Sequence, residues 1–152
     1  MTIENKLAEL GIVLPQAAAP AANYVPFVIS GNLLFVSGQL PMEGGKIAVA
    51  GTLGGDITLD DGQKASRLCA INIIAQARAA LGDLDRVTRI VRLGGFVASA
   101  AGFTDQPKVV NGASDLMVAV FGDAGRHARA AVGVNVLPLG AAVEIDAIIE
   151  FT

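Results

Sequence analysis

Two residues near the end of the chain, Arg129 and Glu144, are of types that could act together on a small carboxylate. A guanidinium is permanently charged, and its planar fork can bind a carboxylate through two parallel hydrogen bonds. A glutamate can orient or deprotonate a water and pass the proton to a leaving group. Taken singly, a charged residue in a strand is more often a surface or ion-paired group, so its surroundings must decide its role.

His127 and Cys69 are the chain's single histidine and single cysteine. Because histidine titrates near neutrality, His127 is a candidate acid, base or hydrogen-bond donor; the alternative is a structural hydrogen bond at the start of a strand. Cys69 has no base near it in the sequence, so we predict a buried packing residue. These counts exclude an internal disulfide framework and a metal site built from several cysteines or histidines of one chain.

The composition indicates one domain with more apolar surface than it can bury alone. The chain has 152 residues and a mass of 15.5 kDa, with 53% hydrophobic and 16% charged residues. One domain over residues 1–152 is expected at this length. Every apolar run is short and interrupted, which argues against a membrane span. We expect the surplus apolar surface to lie in a subunit interface.

The net charge bears on nucleic-acid binding, and the amino-terminal residues bear on the location of the protein. The net charge is -3 and the pI is about 5.0, with no basic run or stripe, which argues against a nucleic-acid groove. The first residues do not combine a basic segment with an apolar one. No signal peptide is therefore predicted, and we expect a cytoplasmic location.

The amino-terminal third is predicted to contain a short helix, an arm and a hairpin. Thr2 can cap a helix that ends near Gly11, giving a helical extension over residues 1–15. The Pro/Ala-rich residues 14–22 are expected to be irregular. Period-2 patterns and glycine-containing turns predict strands over 24–29, 33–39 and 46–50.

Two helices and three further strands complete the predicted element order: helices over 60–81 and 107–121, and strands over 86–99, 128–137 and 141–151. Asp60 or Asp61 can cap the first of these helices and Gly82 can end it, while Pro107 suits the first turn of the second. The resulting order predicts an α+β fold, a mixed β-sheet with two main helices packed on one face.

The last two strands are predicted to form an antiparallel hairpin that turns at residues 138–140. Alternation would place Val132, Val134 and Val136 toward the core and Arg129 on the opposite face. Glu144 is likewise out of phase with the apolar side chains of the final strand. We therefore expect Arg129 and Glu144 to share the face that does not meet the helices, which would be a subunit interface.

Three separated segments carry a resemblance to a known family. Residues 127–148 read HARAAVGVNVLPLGAAVEIDAI, in which an arginine opens a strand, a Leu-Pro turn follows, and a glutamate comes fifteen residues after the arginine. Tyr24 precedes a Ser-Gly-Gln segment at 37–39, and Asn111 lies early in the second main helix. In this order, these features resemble the RidA/YjgF/YER057c/UK114 (Rid) family over residues 22–152.

The resemblance implies a chorismate-mutase-like fold, a homotrimer with clefts between subunits, and no cofactor or metal. The implied activity is hydrolysis of 2-imino acids, or their 2-enamino tautomers, to 2-oxo acids and ammonia. It implies Arg129 and Glu144 as catalytic residues, with Arg129 holding the substrate carboxylate. The other substrate-binding positions it implies are Tyr24, Gly38, Asn111 and Ala131, with Ser37 and His127 as further candidates.

This chain departs from the family pattern beside the arginine. Ala130 and Ala131 stand where close relatives of the deaminase have Ser-Cys, and His127 stands where proline is frequent. Both changes alter the shape and polarity of the pocket, so a non-catalytic metabolite-binding trimer is the alternative. An endoribonuclease, a name attached to some relatives, is disfavoured by the acidic pI, the absence of tryptophan and the single tyrosine.

The predicted hairpin also predicts a site shared between chains. If the last two strands pair around residues 139–140, Glu144 lies about 20 Å along the strand direction from Arg129. A three-carbon substrate cannot bridge that distance within one chain. The predicted cleft therefore combines two chains: Arg129 and Asn111 from one, and Tyr24, Gly38 and Glu144 from the next.

Overall fold

The computed structural model describes residues 1–18 and 23–152, which contain three α-helices and seven strands. The helices are α1 (Ile3–Glu9), α2 (Leu59–Leu81) and α3 (Gln106–Phe121). The strands are β1 (Phe27–Ser30), β2 (Leu33–Gln39), β3 (Met42–Glu43), β4 (Lys46–Ile47), β5 (Val87–Ala98), β6 (Ala128–Val134) and β7 (Val143–Phe151). Residues 14–18 of the predicted arm have no regular secondary structure, and residues 19–22 lie outside the described residues.

Five strands form one mixed sheet in the order β1-β2-β7-β5-β6, while β3 and β4 pair separately. Neighbours in the large sheet are antiparallel except for β5 and β6, which are parallel. The predicted hairpin of the last two strands is therefore wrong, because β5 lies between β6 and β7. A parallel pair needs a long crossover, and α3 provides it, leaving β7 to enter the sheet between β5 and β2.

Both α2 and α3 pack on the same face of the large sheet, which confirms the predicted α+β arrangement. The central strand β7 alternates as predicted: Val143, Ile145 and Ile149 are at most 1% exposed beneath the helices. Burying such side chains contributes about 1.5–3 kcal/mol each. The intervening Glu144 and Ile148 point to the other side of the sheet and remain partly exposed.

We call that other side the open face; its apolar residues are Val28, Phe35, Phe96, Val132 and Ile148. Val132 pairs with Phe96, and Phe96 pairs with Glu144 on β7, so these three side chains lie on one side of the sheet. Val28, Phe35 and Val132 are 51%, 40% and 45% exposed. An exposed apolar surface of this kind is typical of an interaction surface.

The faces of β6 are the reverse of the prediction. Val132 lies on the open face, whereas Ala131 packs against the core. Gly133 approaches Gln106 at the start of α3, and a Cβ there would come within 2.8 Å of the Gln106 amide. Small residues on this side let α3 lie close to the strand. Alternation shows that one side of a strand is apolar, but it does not show which side a helix covers.

The helix ends follow local rules, with one exception to the predictions. Thr2 caps α1 by accepting from Asn5 N at 3.0 Å, and Gly82, at φ +76°, ends α2, both as predicted. The cap of α2 is not Asp60 or Asp61 but Thr58, whose Oγ1 accepts from Asp61 N at 3.1 Å. Both aspartates lie in the first turn, where negative charge favours the helix.

The first strand begins later than predicted. Pro26 has no N–H to donate to a ladder, so β1 starts at Phe27 rather than at residue 24. The single strand predicted over 46–50 is instead the second half of a hairpin, β3–β4. Its turn residues, Gly44 and Gly45, have φ of +61° and +79°, which suit glycine.

Candidate functional site

Arg129 opens onto a surface cleft of about 270 Å³ between α3 and the start of β6. The cleft is lined by Asn111, Ser114, Val118, Arg126, His127 and Arg129, and we call it the Arg129 cleft. The structure thus brings together three of the predicted site residues, Arg129, Asn111 and His127. Two arginines in one small cleft make it suited to an anionic ligand.

The guanidinium of Arg129 is held by α3 at both of its terminal nitrogens. Nη1 donates to Ser114 Oγ at 3.0 Å, and Nη2 donates to the Pro107 carbonyl at 3.1 Å. Arginine has five N–H groups, so three remain for a ligand after these two hydrogen bonds. A guanidinium fixed in this way is prepared to receive a carboxylate at the cleft.

Glu144 and Gly38 meet on the open face. The Glu144 carboxyl occupies the space directly above the Gly38 backbone: a Cβ at Gly38 would overlap it, with the Glu144 Cδ only 2.9 Å away. The ladder between β2 and β7 shifts register between Val36 and Gln39, so Gly38 lies within a bulge. Bulges redirect side chains and are common beside functional sites. Gly38 is thus what allows the Glu144 carboxyl to lie flat on the sheet.

The surroundings of Glu144 favour its protonated form. Burial is the larger cause that raises the pKa of Glu144 from its ordinary value, and the Asp146 carboxylate raises it further. Burial also raises the pKa of Asp146, partly offset by the Arg92 guanidinium, 3.7 Å away, and by the Gly94 N–H. A carboxyl whose pKa is moved toward neutrality is suited to accept a proton and return it.

Ser37 precedes Gly38 on β2 and contacts the segment that follows Tyr24. Ser37 Oγ donates to the Val25 carbonyl at 2.8 Å, and Ser37 N donates to the Pro26 carbonyl at 2.9 Å. Ser37 therefore fixes the segment that carries Tyr24, whose side chain is 48% exposed. In this geometry Ser37 orients the segment that leads into β1.

Arg129 and Glu144 do not share a face, which corrects the prediction. Glu144 on β7 pairs with Phe96 on β5, and Phe96 pairs with Val132 on β6. Arg129 precedes Val132 by three residues on β6, so it lies two strands and three residues away from Glu144. At about 4.8 Å per strand and about 3.3 Å per residue, their Cα atoms are about 14 Å apart. Arg129 turns toward α3 while Glu144 lies on the open face. One small ligand cannot contact both side chains in a single chain.

Ala131 lies two residues beyond Arg129 on β6, in register with Gly95. Its side chain packs toward the core, so what it can offer a ligand is its backbone. Because β6 is at the edge of the sheet, the outer side of its backbone is not used by a neighbouring strand of the same chain.

Three residues of the cleft were not predicted from the sequence: Ser114, Val118 and Arg126. Ser114 comes three positions after Asn111 on α3, a spacing that places two side chains on the same face of a helix. That spacing is the signal that could have identified it. Nothing local to Arg126 distinguishes it, since it becomes part of the cleft only through the turn that precedes β6.

Cys69 is fully buried, as predicted, and donates from Sγ to the Val143 carbonyl at 3.7 Å. Burial, and secondarily the charge of Glu144, raise its pKa well above the ordinary value, so the thiol form is favoured.

Within residues 1–18 and 23–152, no helix is both long and apolar enough to cross a membrane. The same residues contain no group of three His, Cys, Asp or Glu side chains placed to hold a metal ion.

The mixed sheet with both main helices on one face places the chain in the chorismate-mutase-like class of α+β folds. More particularly, the chain belongs to the YjgF (Rid) family: the family model described as "YjgF/chorismate mutase-like, putative endoribonuclease" matches residues 4–150. The resemblance found in the sequence is thereby confirmed.

Individual relatives extend over nearly the whole chain. Protein TCP17 of Trypanosoma cruzi is 57% identical over 97% of this chain and 93% of its own length. The crystal structure of Atu1372 from Agrobacterium tumefaciens, a protein of unknown function, shares 58% identity with a TM-score of 0.93, covering 99% of this chain and 92% of that one. The structure of a "putative endoribonuclease" from Shewanella oneidensis shares 39% identity with a TM-score of 0.97, covering 99% and 100%.

Proposed function

We propose that the protein binds small 2-oxo and 2-imino carboxylates in clefts between the subunits of a homotrimer. There it hydrolyses reactive imines or enamines derived from amino acids to 2-oxo acids and ammonia. The observation that carries this proposal is the Arg129 guanidinium, held by α3 with three N–H groups left at an open cleft. Family membership supports the choice of ligand class.

The site needs two copies of the chain in this proposal. Arg129 and Glu144 are about 14 Å apart by their register, on opposite sides of the sheet. Arg129 lies at the edge strand β6, and Glu144 lies on the open face, whose exposed apolar residues can be buried against another subunit. A neighbouring copy that packs on the open face could bring its own edge strand beside Glu144. Such an assembly completes the cleft.

In the proposed reaction, Arg129 binds the carboxylate and leaves the C=N carbon facing Glu144 of the adjacent subunit. Glu144 takes a proton from water as the oxygen attacks that carbon, and the C=N π electrons move to nitrogen. The carboxyl then returns the proton to the amino nitrogen of the tetrahedral intermediate. Glu144 then passes the hydroxyl proton to the same nitrogen as the C–N bond breaks, so that ammonia leaves and the 2-oxo acid remains. The raised pKa of Glu144 suits both proton transfers.

Ammonia release from freshly generated 2-aminoacrylate tests the activity. Wild-type protein should accelerate the release, and Arg129→Ala should lower kcat/KM by about ten- to hundredfold, the loss of one charge-assisted pair. Glu144→Gln should keep pyruvate binding but lower kcat by about 10²–10⁴-fold. Arg67→Ala, an exposed arginine on α2, is the matched control and should behave as wild type.

Assays on the same proteins distinguish two alternative functions. Pyruvate binding without ammonia release from any small imine would favour a non-catalytic metabolite-binding trimer, which needs Arg129 but not Glu144 as a base. Cleavage of a single-stranded RNA by wild-type protein but not by Arg129→Ala would favour the endoribonuclease that the family description names. The net charge of -3 speaks against this last outcome.

A further inference from the structure

A continuous line of hydrogen bonds runs behind Arg129 in the cleft. His127 Nδ1 lies 2.6 Å from the Gly125 carbonyl oxygen, and His127 Nε2 lies 2.8 Å from Ser114 Oγ. The same Ser114 oxygen accepts from Arg129 Nη1 at 3.0 Å. One hydroxyl therefore joins the histidine to the arginine.

The direction of each hydrogen bond in this line follows from its ends. A carbonyl oxygen can only accept, so the neutral His127 carries its hydrogen on Nδ1. Arg129 can only donate, so Ser114 Oγ accepts from it. The hydroxyl hydrogen of Ser114 is then left to donate to His127 Nε2. Every donor and acceptor in the line is satisfied once, and no other arrangement of neutral His127 does so.

We infer that Ser114 and His127 are positioning residues for Arg129 and thereby set the strength of carboxylate binding. This inference rests on the carboxylate role of Arg129 in the proposed function. His127 fixes the rotation of the Ser114 hydroxyl, and the hydroxyl oxygen then fixes Nη1 of Arg129. The Pro107 carbonyl holds Nη2 at 3.1 Å, so the two anchors together fix the plane of the guanidinium.

Of the two groups that contact the Arg129 guanidinium, only the Ser114 hydroxyl can be removed by a substitution. The Pro107 anchor is a backbone carbonyl and survives any side-chain change. Without the Ser114 hydroxyl, Nη1 loses its anchor, and the guanidinium can change its orientation through the aliphatic torsions of the side chain. The remaining N–H groups are then no longer held toward one carboxylate, and binding pays the cost of ordering them.

Two variants of Ser114 test this role by pyruvate calorimetry and by 2-aminoacrylate kinetics. Ser114→Ala should raise the pyruvate Kd and the KM by about two- to tenfold, the cost of ordering one side chain on binding, with kcat within about twofold. Ser114→Thr keeps the hydroxyl and should restore both values. In an Arg129→Ala background, Ser114→Ala should have no further effect. Asp115→Ala, an exposed neighbour on α3, is the control.

NMR of the ligand-free protein tests, without any substrate, whether Ser114 and His127 hold the Arg129 guanidinium. Because the chain has one histidine, its imidazole ¹⁵N signals are unambiguous, and at pH 8 the proton should be on Nδ1. Arg129 should give separate Nη1 and Nη2 signals in wild type and exchange-averaged signals in Ser114→Ala. His127→Ala should produce the same averaging to a smaller degree.

The outcomes separate this inference from the proposed function. A wild-type protein that binds no 2-oxo acid would overturn the carboxylate role of Arg129, whatever the NMR shows. A wild-type protein that binds pyruvate, with Ser114→Ala binding it equally well, would overturn the positioning role alone. So would a neutral His127 protonated on Nε2. Weaker binding that Ser114→Thr does not restore would also count against the hydroxyl.

Discussion

Glu144 shows at the residue scale how its environment couples proton binding to folding. Burial first, and the Asp146 carboxylate second, raise the pKa of Glu144, so the folded protein holds this proton more tightly than the unfolded chain does. The contribution of Glu144 to the free energy of unfolding is thus fully present below its unfolded pKa. It is lost as the pH rises through the higher folded pKa.

Glu144→Gln removes this pH-dependent loss. We expect the variant to become more stable relative to wild type as the pH rises from about 4 to about 8, since the unfolded pKa lies near the lower limit. Urea unfolding at both pH values measures the difference. Glu43→Gln, an exposed glutamate on β3, is the control. A Glu144→Gln advantage that is the same at both pH values would contradict the burial of this carboxyl.

Gly38→Ala tests the contact between the bulge and Glu144. The overlapping atoms belong to the end of a flexible side chain, so the Glu144 carboxyl can move away and the fold is retained. We expect kcat on 2-aminoacrylate to fall at least about tenfold, since catalysis depends on ångström-scale placement. Combined with Glu144→Gln, Gly38→Ala should add little further loss. A full, independent loss in the double variant would mean that Gly38 acts on something other than Glu144.

At the scale of elements, the crossing of α2 and α3 depends on a glycine. A Cβ at Gly112 of α3 would lie 3.0 Å from the carbonyl carbon and 3.2 Å from the Cα of Gln63 on α2. These atoms belong to backbone and cannot move aside as a side chain can. The two helices therefore approach more closely than any larger residue at this position would allow.

Gly112→Ala should separate the helices and destabilise the fold. Because the overlap is with backbone, the expected cost lies in the upper part of the about 1–3 kcal/mol range for overpacking, and it exceeds the roughly 1 kcal/mol that alanine gains over glycine in a helix. Thermal unfolding should show a melting temperature lower by several degrees. Asp115→Ala, exposed on the same helix, should leave the melting temperature nearly unchanged. An unchanged or raised melting temperature for Gly112→Ala would show that the helices are not in backbone contact.

At the scale of the whole molecule, the open face is the surface that a single chain leaves unburied. Val28, Phe35 and Val132 are each between 40% and 51% exposed there, on three different strands of one sheet. The composition agrees, because 53% of residues are hydrophobic and only 16% are charged. In the proposed trimer this face meets the neighbouring subunit.

Phe35→Asp should therefore disrupt the assembly. A charge buried without a partner in an interface costs several kcal/mol, so the variant should dissociate into monomers and lose the shared cleft. Light scattering after size exclusion should give three times 15.5 kDa for wild type and a single chain mass for the variant. Val13→Asp, at a residue 91% exposed outside the sheet, should remain assembled. A monomeric wild type would contradict the proposed assembly directly.

The sequence by itself determined the family and, apart from β3, the existence of the helices and strands. Local rules suffice for these: the 3.6- and 2-residue periods, Thr2 as a cap, Gly82 as a helix end and Pro107 in a first turn all depend on near neighbours. The three motif segments were enough to identify the family, because their residues and order are visible without a fold. The alternation of β7 also predicted its buried side correctly.

Only the tertiary structure decided how those elements lie against one another. In the folded chain β5 lies between β6 and β7, Arg129 points toward α3, and Ser114 and His127 lie behind its guanidinium. Alternation on β6 cannot specify the covering helix, because both sides carry small or apolar residues and the close approach of α3 depends on distant positions. A strand neighbour is chosen by the packing of the whole sheet, whose free energy is not a property of any short segment.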